Sequence, residues 1–183
     1  MSEPYRQRLL TQVAAPAVEP LTLAETKTYL RVDTADEDTL ITQLIATARR
    51  AAEQYLRRSL ITQQWKLAYD DYLPCDVPLP MGPVQSIVRV TTVTIGGSST
   101  DISTSLYALN AAKTRLLLEQ YIAEHQVEIV YQAGFGAAGT NVPEPIRQGM
   151  LAHIAEIYDG RSRAQGAPQA AIALYHPYRE VTL

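Results

Sequence analysis

The sequence predicts an α+β fold: a helical body, made of two N-terminal helices plus a C-terminal helix, carrying an inserted antiparallel β-module. Three observations lead there. Apolar residues recur at three- and four-residue steps before residue 60 and again after residue 140. The stretch between them is rich in β-branched residues with two-residue alternation. Strands and helices do not alternate along the chain, so no βαβ unit is expected. The implied organisation is an arm at 1–20, a helical body from 21–60 plus 140–162, the β-module at 61–139 and a tail at 163–183.

Residues 1–20 have no clear period and contain Pro4, Pro16 and Pro20, which suggests the arm. The first helix starts at a capping box, Thr22 with Glu25 three residues on, and runs to about Leu30. A second Thr-x-x-Glu signal, Thr34 to Glu37, precedes the strongest helical period in the chain. Its apolar stripe is Leu40, Ile41, Leu44, Ile45, Ala48, Ala52, Tyr55 and Leu56. Asp33, Asp36 and Asp38 precede or open it, and Arg49, Arg50, Arg57 and Arg58 fall in its second half, signs that suit the helix dipole.

Ile61–Tyr69 alternates as a strand, and the proline-broken Val77–Pro80 reads as an edge or a linker. Val84–Ile95 is a long strand ending in the hairpin signal Gly96-Gly97. Its apolar phase slips between Val88/Val90 and Val93/Ile95, so a bulge is expected near Thr91-Thr92. Short strands follow at 106–109 and 114–118, and Val127, Ile129 and Tyr131 alternate in a last one. Gly134–Gly139 reads as a flexible loop. The final helix is expected to be capped by Asn141, with Glu144 at the capping-box position, a stripe of Ile146, Met150, Leu151, Ile154, Ile157 and Tyr158, and a stop at Gly160. Within the tail, 172–179 is expected to hold one helical turn and then to end extended.

Composition narrows the function classes. The 183 residues carry a net charge of −3, and 46% are hydrophobic. No apolar run reaches the roughly 18 residues of a membrane helix. The first residues lack a basic stretch followed by an apolar one, so no secretory signal is expected. Cys75 is the single cysteine, consistent with a reducing compartment. Residues 61–138 carry four basic and seven acidic residues, so the acidic excess lies in the β-module. Thirteen of the 16 basic residues are Arg, which suits forked contacts to carboxylate or phosphate. Eleven Tyr against one Phe and one Trp points to much wet, shared surface.

No catalytic, cofactor or metal site emerges. Gly134, Gly136 and Gly139 match G-x-G-x-x-G, but Pro143 and Pro145 delay the helix, and no second strand completes a dinucleotide unit. His125, His153 and His176 fall in three different elements. His153 and Glu156 are one helical step apart, without a second ligand pair beside them. Cys75 has no nearby activating partner, and Asp70-Asp71 sits at a strand end, where turn residues are expected. Two alternatives stay open: a nucleotide-binding enzyme using the loop 134–139, and a DNA-binding packaging or regulatory factor using the Arg cluster. Against the latter, Arg49 and Glu53 share a helix face, as do Arg50 and Arg57, and such a face is commonly a solvated one with internal ion pairs. Tyr175, Pro177, Tyr178 and Arg179 combine residue types enriched at binding hot spots beyond a weakly patterned stretch.

An ordered set of segments resembles a known family. It comprises Leu21–Glu25 with Leu30–Asp33, Asp36–Asp38 with Leu40-Ile41 and Leu44-Ile45, Arg57–Trp65, Pro78–Pro80 with Pro83–Ile87, Val130–Gly136, Val142–Gln148 and Pro177–Arg179. Together, over roughly 20–180, they resemble the head–tail connector, or adaptor, proteins of long-tailed phages, prophages and gene transfer particles. The resemblance implies a structural virion protein without catalytic residues or cofactors. It would be made in the host cytoplasm and act at the head–tail junction, as a ring homo-oligomer, typically a dodecamer. Its partners would be the portal protein and a tail-side connector or stopper protein, with DNA passing through the channel without sequence-specific binding. On that pattern Tyr175, Pro177, Tyr178 and Arg179 are expected at the portal contact, and Arg50 and Arg57 on a subunit or lumen surface.

Overall fold

The computed structural model describes residues 8–70, 73–123, 125–160 and 167–180. The chain divides into two compact units. One takes the N-terminal segment through Ala15 together with Thr62–Gly134. The other takes Pro16–Ile61 and the chain from Phe135 onward. Strands build the first and helices the second, the α+β arrangement the sequence predicts.

The strand unit holds two antiparallel sheets. The larger has the order β1-β2-β8-β4-β5, with β1 Arg8–Ala14, β2 Gln63–Asp70, β4 Val84–Val93, β5 Ser99–Asp101 and β8 Gln126–Ala133. The smaller has the order β3-β7-β6, with β3 Asp76–Pro78, β6 Tyr107–Leu109 and β7 Arg115–Leu118. Trp65 lies opposite Tyr131, Leu67 opposite Ile129 and Tyr69 opposite Val127, so one face of the large sheet is continuously apolar. Those residues pack with Leu73, Val77, Leu79, Leu116 and Leu118 into a single core. Pro78 ends β3 at an edge of the small sheet, where its missing N–H costs no ladder bond.

Two expectations change here. Residues 8–14, expected within an arm, form an edge strand paired with β2, with a register shift between Gln12 and Ala14. The bulge expected near Thr91-Thr92 occurs earlier, as two register shifts between Val84 and Ser86 and between Ile87 and Arg89. The extra residue Val88 is therefore exposed, while Val90 is fully buried. Gln85 uses its bulged position to donate to Thr62 Oγ1 at 2.9 Å and to the Gly134 carbonyl at 2.8 Å. The hairpin forms at Gly96-Gly97 as expected, with Gly97 at φ 80°, and places Ile95 at its exposed tip.

The helical unit contains α1 Leu23–Leu30, α2 Asp38–Leu56, α3 Glu144–Gly160 and α4 Gln169–Tyr175, followed by a 3-10 turn at His176–Tyr178. Thr22 caps α1 by accepting from the Glu25 N–H at 3.1 Å. Glu25 does not reach back to complete the box; it pairs with Arg147 of α3 at 2.6 Å. The second start signal lies upstream of the helix: α2 begins at Asp38 after Glu37, with no side-chain cap. Asn141 does not cap α3 either. It ends a 3-10 turn and accepts from the Ala138 N–H at 3.0 Å, and α3 starts at Glu144.

The core of this unit joins Ile41, Leu44, Ile45, Ala48, Ala52 and Leu56 of α2 to Ile146, Met150, Leu151 and Ile154 of α3, with Ala171 and Tyr175 of α4. The α2 stripe is the predicted one, except that Leu40 is exposed.

Candidate functional site

The end of α2 and the segment 167–180 form the region where most of the singled-out residues meet. Tyr175 is fully buried. It fits because Gly149 on α3 has no side chain: a Cβ there would lie 3.0 Å from Tyr175 Cδ1 and closer still to Cε1. The Tyr175 ring also lies 6.1 Å from the Tyr55 ring, tilted by 43°. Burial pushes its phenol pKa well above the ordinary tyrosine value, and its hydroxyl has no hydrogen-bond partner among the described residues. Tyr175, expected to stand apart in a tail with little core to join, is instead a core residue and presents no surface in this conformation. Its neighbours on the expected contact do: Pro177 and Arg179 are exposed and Tyr178 is half-buried.

The rest of the segment clasps the same helix end. The Arg179 guanidinium lies over the Tyr55 ring, 5.3 Å from its centroid. The Tyr55 hydroxyl meets His176 Nδ1 at 3.3 Å, and the Glu180 N–H donates to the Leu56 carbonyl at 2.9 Å, satisfying one of the free carbonyls of the α2 C-terminus. Burial raises the Glu180 carboxyl pKa, against the opposing pull of Arg58 and Arg57.

Arg50 is exposed on α2, and Arg57 is exposed at its C-cap with φ 56°. The left-handed turn takes Arg57 off the helical face, so it does not continue the row of Arg50 as the seven-residue spacing implied. The sequence reading missed the role of their neighbours. Arg49 and Glu53, read as members of a solvated face, are buried. Arg49 Nη1 donates to Glu53 Oε2 at 2.8 Å and Nε to Glu19 Oε2 at 2.7 Å, while Glu53 Oε1 accepts the Leu60 N–H at 2.9 Å. Burial alone would lower the Arg49 pKa; the bond to Glu19 and the charges of Glu53 and Glu19 outweigh it and raise it. The signal was in the spacing, because positions 49 and 53 fall between Ile45, Ala52 and Leu56 of the buried stripe.

The glycine loop is held by the chain itself and is not the free loop expected. The Gly134 N–H donates to Pro83 O, the Phe135 N–H to Leu60 O and the Ala138 N–H to Asn141 Oδ1. A Cβ on Gly139 would lie 2.5 Å from Pro20 O, and one on Gly136 would overlap the Asn141 side chain. These glycines admit close chain packing, and their nearest helix starts at Glu144. His153, read as solvated or capping, is buried in α3. Of the Asp70-Asp71 pair, Asp71 lies outside the described residues. Among the described residues no group of three or more His, Cys, Asp or Glu is placed to hold a metal, and no helix is long and apolar enough to cross a membrane.

Residues 20–106 match the family model of phage gp6-like head-tail connector proteins. Among curated proteins none matches. The fold is similar to that of a chain in the neck of an empty GTA particle computed with C6 symmetry, with TM-score 0.78 and 25% identity. It is also similar to a chain in the virion of a native gene transfer agent (GTA) particle, with TM-score 0.81 and 25% identity. A chain in the neck of a native GTA particle computed with C12 symmetry shares the fold at TM-score 0.72 and 24% identity. Each likeness covers 96% of this chain and 97% of the other. The chain thus resembles phage gp6-like head-tail connector proteins over residues 20–106, and chains of gene transfer agent necks and virions over nearly its whole length.

Proposed function

We propose that this connector works as a ring of identical subunits between the portal and the tail of a virion, extending the DNA channel and offering the tail its docking surface. The observation that carries this reading is the connector match over residues 20–106, joined to a whole-chain likeness to chains of gene transfer agent necks and virions. The chain is thus a structural adaptor of the head–tail junction. The finer statements are our own: the portal on one side, a tail-side connector or stopper on the other, and about twelve copies in the ring. Heterologous head-to-tail contacts close into such rings.

The C-terminal segment supports a portal-side role. Pro177 and Arg179 are exposed and Tyr178 is half-buried. Tyr175, locked beneath them, fixes where they stand. We assign the portal contact to Pro177, Tyr178 and Arg179, with Tyr175 as their internal anchor. The test mixes the purified protein with portal-bearing heads that lack it and images the product. A ring of density beneath the portal is expected, lost when Pro177, Tyr178 and Arg179 are together replaced by Ala. A protein that stays monomeric and never joins heads would overturn the adaptor reading. Undiminished docking of the triple variant would overturn the tail assignment alone.

A further inference from the structure

The two ends of α2 differ in charge, and the fold leaves part of each end unpaired. At its start Lys27 takes Asp38 at 2.5 Å and Tyr158 donates to Glu37, yet Asp33 and Asp36 are exposed and bond to nothing among the described residues. The loop stays net negative even with Arg31 and Lys27 counted. At its far end Glu19 and Glu53 take Arg49, yet Arg50 and Arg57 are exposed and form no salt bridge among the described residues. Arg58 adjoins them in the chain, and the clasp on Tyr55 and Leu56 brings Arg179 to the same end, against the single carboxyl of Glu180. A helix of 19 residues separates the two groups by about 28 Å. Stabilising the helix dipole needs charge only within the first and last turns. Arg50 lies outside the last turn, so the dipole does not account for it.

We propose that the basic end of α2, centred on Arg50 and Arg57, docks the acidic loop carrying Asp33 and Asp36 of a second copy of this chain, and that this contact, repeated head to tail, joins neighbours in the ring. The inference rests on the adaptor reading above and names the surface through which its copies meet. Charge complementarity selects the occupant. The two patches have opposite sign and lie on the same unit at opposite ends of one rigid helix, the arrangement a heterologous contact requires. Among the described residues Asp33, Asp36 and Arg50 have no salt-bridge partner, and Arg57 faces only the charge of Glu180, which it shares with Arg58.

The test uses charge exchange between copies. The Arg50→Glu/Arg57→Glu variant and the Asp33→Lys/Asp36→Lys variant each place like charges across every such contact. An equimolar mixture restores opposite charges at every contact of an alternating ring. Incorporation onto portal-bearing heads lacking the protein is measured for wild type, each variant and the mixture. We expect each variant alone to fall by about tenfold or more and the mixture to recover most of the loss. Raising the salt concentration weakens wild-type incorporation and narrows the gap. Wild-type incorporation by either variant alone, or a mixture no better than its parts, overturns the proposal while leaving the adaptor reading intact. Failure of wild type itself to incorporate overturns the adaptor reading and the proposal with it. Should a reversal variant not fold, Arg50→Gln/Arg57→Gln and Asp33→Asn/Asp36→Asn replace it. Each must then lower incorporation and flatten its salt dependence, and unchanged values overturn the proposal.

Discussion

Replacing Gly149 by Ala sets two known effects against each other. In a helix interior the change ordinarily stabilises by about 1 kcal/mol, because glycine there has the larger conformational entropy to lose. In α3 the new methyl would stand 3.0 Å from Tyr175 Cδ1 and nearer to Cε1, well inside ordinary contact. The Tyr175 ring is fully buried beside Tyr55, so it has no free space to retreat into. Overpacking of this kind costs about 1–3 kcal/mol, and a penetration this deep falls toward the upper end. Gly149→Ala is therefore expected to destabilise the helical unit by about 1–2 kcal/mol. Tyr175→Ala alone should cost about 3–5 kcal/mol through the cavity it leaves. On that background the sign reverses: Gly149→Ala then stabilises by about 0.5–1 kcal/mol, and the coupling between the sites is about 2–3 kcal/mol. Urea unfolding of the four proteins measures it, with far-UV circular dichroism following the helices and the single Trp65 reporting the strand unit. A Gly149→Ala variant more stable than wild type, or a coupling near zero, would refute the packing of α4 on α3 described above.

Three further outcomes follow from the same unit. Tyr175→Phe removes a buried hydroxyl that makes no hydrogen bond among the described residues, so thermal unfolding should show no loss and a gain of up to about 1 kcal/mol. Glu53→Ala leaves Arg49 buried with one carboxylate fewer and the Leu60 N–H without its acceptor; a loss of about 3–5 kcal/mol is expected in urea, larger than for any exposed Glu→Ala change. The folded-state pKa of Glu180 is raised, so the folded chain holds that proton more tightly than the unfolded one. The stability it lends is full below the ordinary glutamate pKa and is lost as pH rises through the folded value. Glu180→Gln should accordingly raise the melting temperature at pH 7 relative to wild type and leave no such difference at pH 4.

Local pattern revealed what local forces decide. The α2 stripe from Ile41 to Leu56, the Thr22 cap, the Gly96-Gly97 hairpin and the alternation of Val127, Ile129 and Tyr131 all depend on neighbours within a few residues, and all were readable. What escaped was decided across distance. Arg8–Ala14 becomes a strand because β2, some fifty residues on, supplies its ladder, while the register shift after Gln12 blurs the alternation that would have marked it. Tyr175 reads as a tail residue among alanines until the glycine at 149 is recognised as its socket, and nothing in either segment names the other. Arg49 and Glu53 look like an ordinary surface pair because type was weighed above position; their place inside the apolar stripe, with Glu19 from upstream, makes them a buried network. For the surface residues the sequence revealed the type of contact, while the fold determines which side chains remain available. It withdraws Tyr175 and leaves Pro177, Arg179, Arg50 and Arg57 outside.

The division of the chain also bears on when the protein becomes competent. The helical unit is assembled from Pro16–Ile61 and from residues after Phe135, with the strand unit written between them. During synthesis the strand unit has all its strands once Ala133 emerges. Ile41, Leu44, Ile45 and Leu56 must wait for Ile146, Met150, Ile154 and finally Tyr175 before their stripe is covered. At about 5–20 residues per second the stretch 135–180 takes roughly 2–9 s to make. For that interval a nascent chain carries a half-built helical unit with its apolar stripe open to chaperones. A chain broken off before residue 180 lacks the clasp that orders the end of α2. A copy terminated before α3 keeps its α2 stripe uncovered and lacks the core that the helical unit needs.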